Sequence, residues 1–143
     1  MNYLLTKLQD GGFTLLILKG GEPIFSSEMD GMGPLLEAIN SVEPSKLHNS
    51  IVVDKMVGKA AALLICLIKA REVHTRVMSL RATKVLDKHA VKYSYEETVP
   101  ELLNKFGTDI CPFEKAVLET DDLEEGLKRL SSEAKRLAAM KKP

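Results

Sequence analysis

The chain has 143 residues, enough for one domain with a proper hydrophobic core, and its 20 Lys+Arg balance 20 Asp+Glu to a formal net charge of zero. No global field draws such a chain to nucleic acid or to an anionic membrane surface, and no specific nucleic-acid signal is present. Cys66 lies inside an apolar run and Cys111 just before a proline, so the two do not suggest a disulfide framework; with the polar start MNYLLTKLQDGG, which is no signal peptide, a cytoplasmic protein is expected.

In chain order, Asn2 to Gln9 carries Tyr3, Leu4, Leu5 and Leu8 at helical spacing, and Asp10-Gly11-Gly12 closes it as a glycine C-cap, so residues 1–12 are read as a short docked helix. Phe13 to Leu18 is apolar throughout. Lys19-Gly20-Gly21-Glu22 then supplies a tight turn into Pro23-Ile24-Phe25-Ser26, a β-hairpin whose second strand starts at a proline suited to an edge. Pro34 opens a helix with Leu35, Leu36 and Ile39 as its stripe, and Pro44 ends it.

The organising stretch is Asn49 to Lys69. Ile51 to Val53 reads as a short buried strand, and Ala60 to Ile68 is apolar on every face, which demands a helix enclosed by protein. That run is about half of a ~20-residue membrane span, so no membrane association is expected. Asp54, Lys55, Gly58 and Lys59 fall at the junction, where a strand hands over to a buried helix and ligand sites form. Asp54 is expected to cap the helix. Lys59 either snorkels to water or binds an anionic ligand at the helix end. A phosphate loop is rejected, because Val53 stands where its first glycine belongs and Ala60 where its hydroxyl belongs.

Glu72 to Ser79 alternates Val73, Thr75 and Val77 against His74, Arg76 and Met78, the period of a strand. Ser79 caps a helix from Leu80 to Lys88, and Val91 to Tyr95 alternates again, giving a right-handed βαβ unit with parallel strands. Thr98-Val99-Pro100-Glu101 has the form of a capping box and predicts a helix through Phe106, stopped by Gly107. Pro112 begins a short helix. Asp121-Asp122 caps a last one, residues 121–143, with Leu123, Leu127, Leu130, Ala134 and Leu137 on one side and a fraying Lys141-Lys142-Pro143 at its end. Its leucines dock on the body or form the seam of a homo-oligomer.

The order hairpin, helix, strand, buried helix, strand, helix, strand looks like the cytidine-deaminase-like fold. More narrowly, DKMVGKAAALL, the VHTRVMS strand and the late GTDICPFEKAV resemble a bacterial and archaeal domain-of-unknown-function family, family 1893, assigned to that fold. The resemblance implies one deaminase-like domain over 1–143, three-layer α/β/α with a mixed sheet of about five strands. It also implies a pocket at the starts of the two helices. Zinc deaminases carry His/Cys-Ala-Glu at the first and Pro-Cys-x-x-Cys at the second. Here Val57-Gly58-Lys59 (or Gly58-Lys59-Ala60) and Ser79-Leu80-Arg81-Ala82 stand in those places, so no metal or other cofactor is expected and a zinc-dependent deaminase is not.

The resulting expectation is a pocket that binds a small anionic or nucleotide-like molecule through Asp54, Gly58, Lys59, Ser79, Arg81, Thr83, Cys111 and Glu114. Ser79 is alternatively a plain cap. Cys111, with Pro112 placing it at a helix start and Glu114 opposing its ionisation, is either a structural thiol or the nucleophile of a metal-free enzyme paired through space with His48, His74 or His89. A third reading is an interaction module acting through its C-terminal helix.

Overall fold

The computed structural model describes residues 2–140; Lys141-Lys142-Pro143, expected to fray, lie outside the described residues. The elements in order are α1 (Tyr3–Asp10), β1 (Leu15–Lys19), β2 (Glu22–Ser27), α2 (Gly33–Ser41), α3 (Pro44–Leu47), β3 (Ile51–Val57), α4 (Lys59–Leu67), β4 (Glu72–Ser79), α5 (Leu80–Lys88), β5 (Lys92–Val99), α6 (Pro112–Ala116) and α7 (Leu123–Met140). The strands form one mixed sheet in the order β2-β1-β3-β4-β5. β1 is antiparallel to both its neighbours, and β3, β4 and β5 run parallel. This is the α/β architecture expected from the alternating strand and helix patterns.

Strand β1 explains why LLIL has no polar position. Leu16 and Leu18 join Val53 under α1, held there by Leu5 and Leu8, while Leu15 and Ile17 enter the larger core with α2, α4, α5 and α7. Helix α4 is enclosed on all sides: every residue from Lys59 to Cys66 is buried. Gly126 lets α7 close on it, since a Cβ there would come within 3.1 Å of Leu63 Cδ1. Asn2 caps α1 by accepting from the Leu4 amide at 2.7 Å, and its amide nitrogen donates to Ser94 at 3.2 Å, tying α1 to β5.

Three expectations require correction. β3 does not stop at Val53 but runs to Val57, because its ladder with β4 continues through Met56 and Val57. Asp54 is therefore a strand residue and caps nothing; the N-cap position of α4 is Gly58. The helix expected from Thr98 to Phe106 is absent. Thr98 and Val99 extend the β5 ladder opposite Met78 and Ser79, and a continued parallel pairing outweighs a capping box worth ~1 kcal/mol. Residues 100–111 instead form a loop closed by the Leu103–Ile110 bridge, with Asn104 Oδ1 accepting from Phe106 and Thr108 amides, each at 3.1 Å. Pro44 follows the end of α2 as expected and also begins the single turn α3.

Candidate functional site

The loop and α6 fold back over the N-terminus of α4, and Glu114 is the side chain that makes the junction. A helix start leaves backbone N–H groups without partners and carries partial positive charge. Gly58 has no side chain to use as a cap, and Glu114 takes that role from 55 residues away: Oε1 accepts from the Lys59 amide at 2.8 Å and Oε2 from the Ala60 amide at 2.7 Å. The residue is 2% exposed. Burial raises its pKa, opposed by those two amides and by the charges of Lys59 and Arg81. Gly58 is required by the close approach, since a Cβ there would lie 2.4 Å from Glu114 Oε1 and 2.7 Å from Leu102 Cδ1.

The anion position that sequence reasoning offers to a ligand at the start of α4 is thus filled from within the chain. Lys59 turns away from that position: it is 7% exposed and donates to the Leu118 carbonyl at 3.2 Å while pairing with the exposed Asp121 at 3.0 Å. Arg81 pairs with Glu101 at 2.8 Å. Ser79 is a buried cap whose Oγ accepts from the Ala82 amide at 3.1 Å, and Thr83 donates to the Leu80 carbonyl at 2.7 Å.

Beside the plugged helix end lies a cavity of about 390 Å³, walled by Met32, Leu35, Leu102 and Phe113, with Gly58 and Glu114 at its base. Asp54 and Cys111 line it, so four of the expected site residues meet here: Asp54, Gly58, Cys111 and Glu114. Lys59 and Arg81 instead border a separate groove of about 340 Å³ with Lys84, Lys88 and His89. Ser79 and Thr83 border neither. None of the three histidines lines the cavity that holds Cys111.

Asp54 is the unusual group. It shares a face of β3 with Val52, the face that meets α4, and stands opposite Leu15 in β1 and Thr75 in β4. The residue is half-buried, facing the cavity, and loss of solvent around its carboxyl drives the pKa from 3.8 up to about 7, with the Lys55 and Met56 amides opposing the shift. No side chain among the described residues pairs with it. A carboxyl in this state offers a donor and an acceptor near neutral pH, where an ordinary aspartate offers acceptors alone. Lys55 and Lys105 also border the cavity and are exposed. Cys66 differs from Cys111: burial inside α4 pushes its thiol up to about 11, the state of an inert core residue.

Sequence reasoning misplaced Asp54 and missed Met32, Leu102, Lys105 and Phe113. A legible signal did exist for Asp54. If the strand is allowed to continue past Val53, period-two alternation puts it on the side of Val52, where a carboxylate is out of place among apolar residues. The walls supplied by the 100–113 segment had no such signal, since a loop carries no periodicity.

The sequence profile of a family described as a domain of unknown function, DUF1893, matches residues 4–133. Among solved structures, a crystal structure of a DUF1893 family protein from Thermotoga maritima is similar, with 35% identity, a TM-score of 0.81 and coverage of 92% of this chain and 91% of that one. No match was found among curated proteins.

Proposed function

Since the chain belongs to the DUF1893 family, whose description states no activity, we propose from the cavity itself that it is a small-molecule binding domain of cytidine-deaminase-like architecture, taking a nucleotide-like ligand beside the start of α4. The order of strands and helices around the enclosed α4 supports the scaffold. The residues at the two helix starts do not fit zinc: Gly58, Lys59 and Ala60 offer no donor for it, Ser79 is engaged as a cap, and the α4 amides are held by Glu114.

Asp54 is the observation that carries the reading. A carboxyl on the core-facing side of a central strand costs stability, and it lines an otherwise mainly apolar cavity. Half protonated near pH 7, it matches an edge that presents one N–H and one carbonyl or ring nitrogen side by side, the pattern of a nucleobase lactam or amidine. The apolar walls accept the face of such a ring, and Lys55 and Lys105 meet a phosphate. Calorimetric titration with bases, nucleosides and nucleotides tests this: Asp54→Ala should weaken the best ligand at least about tenfold, equivalent to about 1.4 kcal/mol. Absence of binding by every compound of the set would remove the proposal.

A second reading, a metal-free enzyme using Cys111 as nucleophile, has one observation in its favour. Asp54, poised near neutrality, lines the same cavity and could serve as the base that no histidine supplies. Alkylation of Cys111 at the rate of a free model thiol across pH 6–9 would count against it.

A further inference from the structure

The sheet has two edges, and they are built differently. On β2 the edge is blunted by Pro23 and by a register shift opposite Ile17 and Leu18, devices that prevent pairing with another strand. On β5 it is open: the strand has eight residues, no proline, and an unbroken register with β4 from Lys92 to Val99. The Lys92 amide donates inward to the Arg71 carbonyl at 3.4 Å. By strand alternation the main-chain groups of Ser94, Glu96 and Thr98 also point into the sheet, and those of Tyr93, Tyr95 and Glu97 point outward without a strand to receive them.

The outward row is self-complementary. Read antiparallel against itself about Ser94, the segment Lys92-Tyr93-Ser94-Tyr95-Glu96 sets Lys92 of one copy opposite Glu96 of the other on one face, and Tyr93 opposite Tyr95 on the other face. Tyr93 and Tyr95 already stack within one chain, ring centroids 6.3 Å apart, and Tyr95 is 46% exposed. We propose that β5 pairs with β5 of a second copy across a two-fold axis at Ser94, joining the two five-stranded sheets. Both Tyr93–Tyr95 pairs fall where the main chains exchange N–H···O bonds. The Lys92–Glu96 pairs fall at the closer, non-hydrogen-bonded positions, where opposite charges attract and like charges repel, with Glu96 shared between the partner's Lys92 and Arg76 of its own β4 at 3.1 Å. An isologous contact of this kind closes on itself, so it gives a dimer and no fibre.

Charge exchange tests the register. Sedimentation equilibrium of the full chain over a concentration series should show a dimer, and Lys92→Glu or Glu96→Lys alone should weaken it at least about tenfold by opposing like charges. Mixing the two variants should restore a dimer, now a heterodimer. Two acidic side chains at positions 92 and 96 of the first variant then face two basic ones at the same positions of the second, and an acid meets a base at both places. Tyr95→Pro removes an outward N–H without breaking the β4–β5 ladder and should leave a folded monomer by circular dichroism. A wild-type chain that stays monomeric at every concentration would overturn the proposal. So would a dimer indifferent to all three substitutions.

Discussion

Replacing Asp54 by Asn keeps the shape of the side chain and removes its titration. In the native protein the carboxyl loses its proton near pH 7, whereas in the unfolded chain it does so near 3.8. Between those values the native state holds a proton that the unfolded state has released, so the contribution of this group to stability is complete below about 3.8. It is lost progressively as pH rises and is gone above about 7. The whole interval corresponds to about 4 kcal/mol at ~1.4 kcal/mol per pH unit, and the side chain's access to an open cavity lowers that to about 2–4 kcal/mol. Urea unfolding of wild type and Asp54→Asn at matched pH isolates the effect, because Glu114, whose raised pKa gives wild type a slope of the same sign, is common to both proteins. The advantage of Asp54→Asn should grow by about 2 kcal/mol from pH 5 to pH 8, with unchanged m-values. A stability difference that is flat over that range would refute the placement of the carboxyl in a desolvated site.

Glu114→Ala leaves the Lys59 and Ala60 amides buried without acceptors and should cost about 2–4 kcal/mol in denaturant unfolding. Gly58→Ala pushes Glu114 and Leu102 out of contact distance and should cost about 1–3 kcal/mol by overpacking, and combining it with Glu114→Ala should cost less than the sum of the two, as a double-mutant cycle would show. Ser79→Ala should lower stability by about 0.5–2 kcal/mol through loss of the α5 cap, with no change in ligand affinity by titration. A small thiol reagent should label Cys111 in the native protein and Cys66 only after unfolding, read by mass spectrometry; equal labelling of both would contradict the burial of α4.

Much of the scaffold was legible because its signals are periodic or chemical. β4 and α5 match their expected limits, since the alternation of VHTRVMS ends at a serine able to cap and helical spacing begins at once. α4 was recognisable from its lack of any polar face. What was not legible came from contacts distant in sequence. Thr98 to Glu101 has the local chemistry of a helix start, and only the neighbouring β4 reveals that it completes a parallel ladder. Asp54 and Glu114 exchanged expected roles for the same reason: a cap is ordinarily sought one to three residues before its helix, and nothing in GTDICPFEKAV marks a carboxylate that caps a helix 55 residues earlier.

That exchange decides how a ligand would be recognised. A free helix N-terminus favours anions by ~0.3–1 kcal/mol when exposed and up to ~2 when partly buried, and this is the interaction that Glu114 now takes for the fold. The amides are neutralised before any ligand arrives, and a second anion brought to the same place would meet the charge of Glu114. Phosphate recognition at the α4 terminus is therefore disfavoured, and an anionic group must be met at the edge of the cavity by Lys55 and Lys105, against the exposed carboxylate of Asp30, where solvent weakens each pair to about 0–1 kcal/mol. Discrimination then falls to the cavity wall, where Asp54 is a half-buried carboxyl with no side-chain partner among the described residues and, unlike Glu114, caps no helix. Affinity for a ring that needs both a donor and an acceptor from that carboxyl should accordingly decline as pH rises above about 7, where Asp54 loses its proton, while a nucleoside and its monophosphate should differ little in affinity at physiological salt. A phosphate dependence of about a hundredfold or more, equivalent to about 2.8 kcal/mol, would mean that Glu114 leaves the helix end on binding, and its amides would then be the ligand site after all.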